Sequence, residues 1–162
     1  MSLLSIRLIQ QKDNVKVASI IRTVMTSFGA VGKGYSIEDS EVDQMYEAYN
    51  APSAAMYVVI DESNEVLGCG GYAPLTGGNP EICELRKMYF LPASRGQGMG
   101  QKMVEMILLA AKEKGYNHCY LETLDRMRKA NQLYQKTGFV PLLKPMGKTG
   151  HGGCDRYYLR EL

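Results

Sequence analysis

Hydrophobic positions along this chain follow two periods in turn, and the switches between them mark out the elements. Residues 5–9 alternate enough for a short strand, and Asp13 then stands where a helix wants its N-cap. Val17, Ile20, Ile21, Val24 and Phe28 keep to one face of that helix, which stops at Gly29. A flexible glycine-rich loop, 29–35, leads to a second helix opened by Ser36 or Ser40, with Val42, Met45, Tyr46 and Tyr49 on one side and Pro52 at its end. Residues 56–60 and 66–72 are apolar and β-branched enough for two strands, and the turn 61–64 makes a hairpin the simplest link.

Beyond a glycine- and proline-rich excursion at 74–80, residues 82–90 predict a fourth strand. The helical period returns at 98–114, where Met99, Met103, Val104, Ile107, Leu108 and Ala111 form a buried stripe and Gly115 the C-cap. A fifth strand follows at 116–122, a short helix at 127–136 stopped by Gly138, and two last strands at 139–143 and 155–159. Only residues 144–154 fit neither period. Strands alternate with helices without repeat or linker, so an α/β (α+β) fold in one domain spanning 1–162 is expected.

Composition narrows the function. A chain of 162 residues, 45% of them hydrophobic, suits one domain with a sizeable core, and its net charge of +2 calls for neither nucleic acid nor an anionic membrane as partner. The N-terminus has no signal-peptide core, and apolar runs such as 106–111 fall far short of the ~20 residues a bilayer requires, so a cytoplasmic location is expected. The four cysteines, Cys69, Cys83, Cys119 and Cys154, contain no C-x-x-C pair, which makes reduced and mostly buried thiols the default. Oligomeric state is left open, a homodimer included.

The most informative segment joins the fourth strand to the helix after it. Gly96, Gly98 and Gly100 let the backbone pass close to a ligand, and the helix that follows directs free N–H groups and the positive end of its dipole at the turn. A phosphate or pyrophosphate suits such a turn. A dinucleotide fingerprint starting at Gly96 needs a third glycine where Gln101 stands, and one starting at Gly98 meets Met103 there. A Walker A loop needs glycine at Arg95 and lysine at Gln101.

The run Arg95-Gly96-Gln97-Gly98-Met99-Gly100 resembles the R/Q-x-x-G-x-G/A signature of the GNAT acetyltransferase superfamily. The residues before it, Glu84-Leu85-Arg86-Lys87-Met88-Tyr89-Phe90, resemble that family's fourth strand, and residues 130–139 its A-x-x-x-Y-x-x-x-G-F helix and turn, in the family's order. The resemblance covers most of the chain. It implies a single GNAT-type domain with a mixed, mostly antiparallel sheet of about seven strands and four flanking helices. It also implies acetyl-CoA as cosubstrate, with no metal, and direct acetyl transfer to an amine of a small molecule or peptide.

Residue by residue, the resemblance gives the backbone of Met88, Tyr89 and Phe90 to the pantetheine arm, which pairs as an added strand would. It gives the oxyanion to an N–H there, that of Met88. The N–H groups of Gln97, Gly98, Met99 and Gly100, with Arg95 and Gly96, are given to the pyrophosphate. Asn131 resembles the asparagine that contacts the pantetheine arm, and Tyr134 the general acid that protonates the departing thiolate. Glu84 resembles a glutamate that deprotonates the acceptor through a water. The bland alternative for Glu84 is a strand-end carboxylate or a partner for Arg86, with Glu122 the reserve base. In an unbroken strand Glu84, Arg86, Met88 and Phe90 share one face and Cys83, Leu85, Lys87 and Tyr89 the other, unless the bulge usual in the family intervenes.

For the acceptor, the resemblance points to the loops 32–35 and 149–155, with Tyr35, Arg86 and His151 as candidates. Arg7, Arg86 and Arg156 gathered around a carboxylate would suit an amino-acid-like amine. His151 and Cys154 lack companions for a metal site, and His118, in a strand, reads as structural. Two other functions are carried forward: acyl transfer through Cys83 or Cys119, and a non-catalytic acyl-CoA sensor.

Overall fold

The computed structural model describes residues 3–162. Its elements keep the predicted order: β1 (Ser5–Leu8), α1 (Asn14–Ser27), α2 (Met45–Tyr49), β2 (Ala55–Ile60), β3 (Val66–Pro74), β4 (Ile82–Phe90), α3 (Met99–Glu113), β5 (His118–Thr123), α4 (Arg128–Lys136), β6 (Val140–Leu142) and β7 (Arg156–Glu161). The strands form one seven-stranded sheet in the order β1-β2-β3-β4-β5-β7-β6, and every neighbouring pair is antiparallel except β4 with β5. This is the mixed, mostly antiparallel sheet with four helices that the motifs implied. Among the described residues, no helix is long and apolar enough to cross a membrane.

The helical stripes read from the sequence are the ones that are buried. Val17, Ile20, Ile21 and Val24 of α1 pack with Met45 of α2 against Met56, Val58, Cys69 and Ala73 on one face of the sheet. Met103, Val104, Ile107, Leu108 and Ala111 of α3 pack against Val59, Tyr72, Cys83 and Leu85 on the other. Each fully buried aliphatic side chain in these layers contributes about 1.5–3 kcal/mol, so the sheet is clamped from both sides.

Two local readings change. Asp13 does not cap α1 with its side chain; its carboxylate accepts from Arg7 (2.7 Å) and from the backbone N–H of Gln10 (2.7 Å), because a buried acid needs a cation more than a helix needs a cap. The second helix does not run from Ser36 or Ser40. Residues Ser36–Glu38 and Ser40–Gln44 form 3-10 turns, Asp39 between them is extended, and regular helix begins only at Met45. Asp39 is turned outward to meet charges on β4 and on the loop 149–155.

Two irregularities in β4 shape everything that follows. Its parallel pairing with β5 lasts from Ile82 opposite His118 to Glu84 opposite Tyr120 and then stops, while β5 stays paired with β7 out to Thr123. A wedge therefore opens beyond Glu84. On the other side, Cys69 pairs with Tyr89 and Gly71 with Arg86, which leaves Lys87 and Met88 together opposite Gly70. This is a β-bulge, and Lys87 sits in it with φ +55°, a conformation that costs an L-residue about 1–2 kcal/mol. The bulge breaks the strict alternation. Met88 and Phe90 join Cys83 and Leu85 on the α3 face, Tyr89 packs toward α1, and the Lys87 ammonium turns to the side of Glu84 and Arg86.

β2 and β3 meet closely at Gly71, the residue paired with Arg86. A Cβ there would collide with the Ala55 carbonyl oxygen and approach the Met56 Cα at 3.0 Å, both backbone atoms that cannot swing away. Gly71→Ala is therefore expected to destabilise the protein by about 1–3 kcal/mol, read as a lower urea midpoint with an unchanged slope.

Candidate active site

The wedge between β4 and β5 contains a cavity of about 60 Å³ bordered by Leu85, Met88 and Tyr89 on one wall and by Thr123, Leu124 and Tyr134 on the other. Glu84 stands at its apex, 3% exposed, with Arg86 Nε 2.7 Å from its carboxylate. Burial raises the pKa of Glu84 above the ordinary carboxylate value, and Arg86 only partly offsets this. Tyr134, 4% exposed, comes from α4; its ring packs edge-on against Phe139 (5.9 Å between centroids) and beside Tyr158 (6.2 Å). Among the described residues nothing hydrogen-bonds its hydroxyl, and burial holds the phenol above its usual pKa.

The glycine-rich turn begins where β4 ends. Arg95 Nε donates to the Phe90 carbonyl at 2.8 Å and Gln97 Nε2 to the Ala93 carbonyl at 2.9 Å, so the turn is tied back onto the strand. Gly98 is the N-cap of α3 with φ +78°, and no side chain caps the helix. The N–H groups of the first turn have no helical acceptor and face outward from an exposed segment. A Cβ at Gly98 would touch no protein atom within 4 Å, so glycine is required there by the left-handed backbone and not by crowding.

On the α1–α2 side of Glu84 lies a second, polar cavity of about 180 Å³, reached past Glu84, Arg86 and His151, which border both. The two loops predicted for the acceptor meet each other, with Tyr35 and Cys154 bordering the wedge cavity and Thr149 the polar one. Gly153 N donates to Gly34 O at 2.9 Å, and Gly153 lies so close to the Tyr35 ring that a Cβ would come within 2.6 Å of it. His151 ties its loop to the 3-10 segment and to β5 by charge: Nε2 lies 2.9 Å from Asp39 and Nδ1 3.7 Å from Glu122. Asp39 also takes the Lys87 ammonium at 2.6 Å, a side chain only 1% exposed. Glu122 accepts from Tyr120 at 2.7 Å and from the Thr149 hydroxyl.

These contacts fix the charges. Burial works against the Asp39 and Glu122 carboxylates, but hydrogen bonds from His151 and further donors (Lys87 on Asp39; Thr149 and Tyr120 on Glu122) hold both below the ordinary value. Burial alone would lower His151, yet Asp39 and Glu122 carry it up to about 9, so the imidazole is cationic at neutral pH. Glu84, Glu122 and His151 bring ligand-type atoms within 4.8 Å of one another, but Arg86, Tyr120 and Thr149 already hydrogen-bond the two carboxylates.

The structure brings together Glu84, Arg86, Met88, Tyr89, Tyr134, Tyr35 and His151 around the two cavities. It does not gather the three arginines, since Arg7 is paired with Asp13 and Arg156 with Asp125. Cys83 and Cys119 border neither cavity, and the Cys83 thiol and then burial push Cys119 well above the thiol range, so neither is presented as a nucleophile. Asn131 is engaged internally: Nδ2 donates to the Leu124 and Met127 carbonyls, both at 2.9 Å, and Oδ1 accepts from Tyr158 at 2.7 Å. It ties α4 to β7 and so positions Tyr134. Asp39, Glu41 and Lys87 were not singled out from the sequence; the signals were a lysine placed mid-strand next to Arg86 and the acidic run Glu38 to Asp43 facing no predicted cation.

Comparison with known proteins gives these features a family. Residues 52–141 match the family model described as acetyltransferase (GNAT) domain. The chain is 43% identical over 152 residues to the uncharacterized N-acetyltransferase YjgM of Escherichia coli, covering 93% of this chain and 90% of that protein. It is 30% identical over 138 residues to an uncharacterized N-acetyltransferase of Schizosaccharomyces pombe, covering 85% and 82%. Among solved structures, a GNAT-family acetyltransferase from Staphylococcus aureus shares the fold with a TM-score of 0.85 at 17% identity, over 99% of both chains. The structure of yncA from Salmonella typhimurium with acetyl-CoA shares it with a TM-score of 0.78 at 18% identity, over 98% of this chain and 94% of that one.

The raised pKa of His151 makes stability depend on pH in a defined direction. The stabilisation is complete below the unfolded value of 6.5 and is lost as pH rises through about 9. Melting temperature is expected to fall across that interval, and His151→Asn to flatten the fall; a wild-type profile level over this range would refute the buried imidazolium.

Proposed function

The chain belongs to the GNAT N-acetyltransferases, and from that footing we propose that it transfers the acetyl group of acetyl-CoA directly to the primary amine of a small molecule or peptide. The observation that carries this reading is the wedge itself, with a buried carboxylate at its apex, a proton-bearing phenol on one wall and an uncapped helix N-terminus at its mouth. The residues present suit the cosubstrate. The β4 edge beyond Glu84 has no partner in β5 and can take a peptide-like pantetheine arm at Met88, Tyr89 and Phe90. Gly96, Gln97, Gly98, Met99 and Gly100 offer backbone N–H groups to a pyrophosphate, with Arg95 adding charge.

Acetyl-CoA supplies the acetyl group as an activated thioester. The protein's part is to bind, orient and move protons. An alkylammonium is only about 0.1% neutral at pH 7, so a base must take its proton. Glu84 suits this better than Glu122 or His151. Its pKa is displaced toward neutrality, whereas Glu122 is held ionised by its donors and His151 already carries its proton. The Met88 N–H, in the bulge and free of a regular ladder rung, stabilises charge developing on the acyl oxygen. Tyr134 keeps its proton throughout the neutral range and delivers it from the hydroxyl to the departing sulfur.

Three measurements check this reading. Gly98→Val, which forces a β-branched residue into φ +78°, is expected to raise the KM for acetyl-CoA at least about tenfold in a folded protein. Tyr134→Phe should lower kcat by about 10²-fold with little change in acetyl-CoA Kd, and an unaffected kcat would remove the tyrosine from the reaction. For Glu84→Gln, kcat/KM for the amine should fall and lose its acidic limb, because the wild-type base is protonated as pH drops through its raised pKa.

A further inference from the structure

Among the described residues, two that are not glycine have a left-handed backbone: Asn64, in the exposed turn between β2 and β3, and Lys87, in the middle of β4. Asparagine takes this conformation readily and lysine does not. Strain of this kind persists only where the surroundings over-determine it, and it marks segments with a task. Two contacts over-determine it here. The buried Lys87 ammonium lies 2.6 Å from Asp39 and 3.5 Å from Glu41. The Lys87 carbonyl accepts from the Cys69 thiol, with Sγ 3.1 Å from the oxygen. Burial pushes that thiol up to about 12, so the S–H is present at neutral pH.

Both contacts act on one peptide unit. A trans peptide points its C=O and its N–H in opposite directions, and the N–H that shares a plane with the Lys87 carbonyl is that of Met88. With the carbonyl drawn back to Cys69 of β3, the Met88 N–H is directed away from β3, toward the wedge that Met88 borders. Gly70, opposite the bulge, leaves room for this arrangement, since a Cβ there would come within 2.8 Å of Met88 Sδ.

Stability alone does not account for the lysine. Glycine would take φ +55° without strain, and a buried ion pair adds little to stability on balance. What lysine adds is a tether, because turning the peptide unit would pull the ammonium away from Asp39 and leave buried charges unpaired. Resting on the acetyl-transfer reading above, we propose that Lys87 and Cys69 are positioning residues for acyl transfer. The Lys87 ammonium and the Cys69 thiol hold the Lys87–Met88 peptide unit so that the Met88 N–H meets the thioester carbonyl oxygen. Asp39 also accepts from His151, so the oxyanion donor is braced by the same ion pairs that hold the loop 149–155.

The test is infrared difference spectroscopy of acetyl-CoA labelled with heavy carbon at the thioester carbonyl and bound to the intact protein, beside kinetics with the best acceptor of an amine panel. In wild type the carbonyl stretch is expected to move to lower frequency on binding. Lys87→Met and Cys69→Ala should lose most of that movement. Their kcat should fall about tenfold or more, part of the roughly 10²–10³-fold that a whole oxyanion donor is worth, while the Kd for acetyl-CoA changes less than about twofold. Cys69→Ser, which keeps a donor, should retain more of both than Cys69→Ala. Lys87→Gly relieves the backbone but cuts the tether, so it should lose the movement as well; a purely structural lysine would leave it intact. Where Lys87→Met alone does not fold, Lys87→Met with Asp39→Asn removes both charges and is read in the same way. A movement that survives in Lys87→Met or Lys87→Gly and in Cys69→Ala overturns the proposal by itself. Wild type that binds no acetyl-CoA, or binds it without the movement, overturns the proposal together with the cosubstrate or oxyanion reading beneath it. If no amine is acetylated, the transfer reading fails, and the infrared shift still decides the roles of Lys87 and Cys69.

Discussion

Three rungs of parallel pairing hold β4 to β5, and where they stop the protein acquires its site. Backbone groups buried without partners are costly, so a strand edge left open between two packed layers demands a peptide-like ligand or water. The parting is sustained from outside. α1 and α3 clamp the sheet from its two faces, β5 stays bound to β7, and the bulge at Lys87 and Met88 turns the free half of β4 away from its former neighbour. The base candidate at the apex, the acid candidate on the wall and the glycine-rich turn at the mouth all take their places from this geometry.

The polar cavity is assembled differently, by charge more than by apolar packing. Lys87, Asp39, His151 and Glu122 form a chain that joins the bulge, the 3-10 segment before α2, the loop 149–155 and β5. Buried ion pairs add little stability on balance, but each is expensive to break singly, because the surviving charge is left without a partner. The chain therefore fixes the loops in one arrangement. It also supplies a reason for the left-handed backbone of Lys87: the cost of its φ is offset by delivering an ammonium between two carboxylates.

Much of this was legible in the sequence. The stripe on α3, the glycine-rich turn and the spacing of Tyr134 from Gly138 are local patterns, and local patterns survive into structure when a helix or turn decides them alone. What was hidden is non-local. Asp39 meets Lys87 across 48 positions and His151 across 112, and no periodicity links them. The alternation of β4 held only up to the bulge that the resemblance allowed for, and the residue types alone do not place that bulge when its special residue is a lysine. Asn131 is engaged by the Leu124 and Met127 carbonyls of the turn before α4, which are local, and by Tyr158 of β7, which is not. The three arginines failed to gather because Asp13 and Asp125 lie nearer to two of them.

The two cavities share only Glu84, Arg86 and His151 among the residues already argued for chemistry, and otherwise draw on separate stretches of chain. The proposed cosubstrate backbone contacts lie in one continuous segment from β4 into α3, and β5 and α4 supply the opposite wall of the wedge. The acceptor half is written in two loops that contribute little to the apolar core. Substitutions at Ser40, Glu41, Thr76 or Thr149, which border the polar cavity and not the wedge, can thus reshape the one without lining the other. Such a division lets descendants of one ancestral sequence diverge in substrate while inheriting the reaction intact.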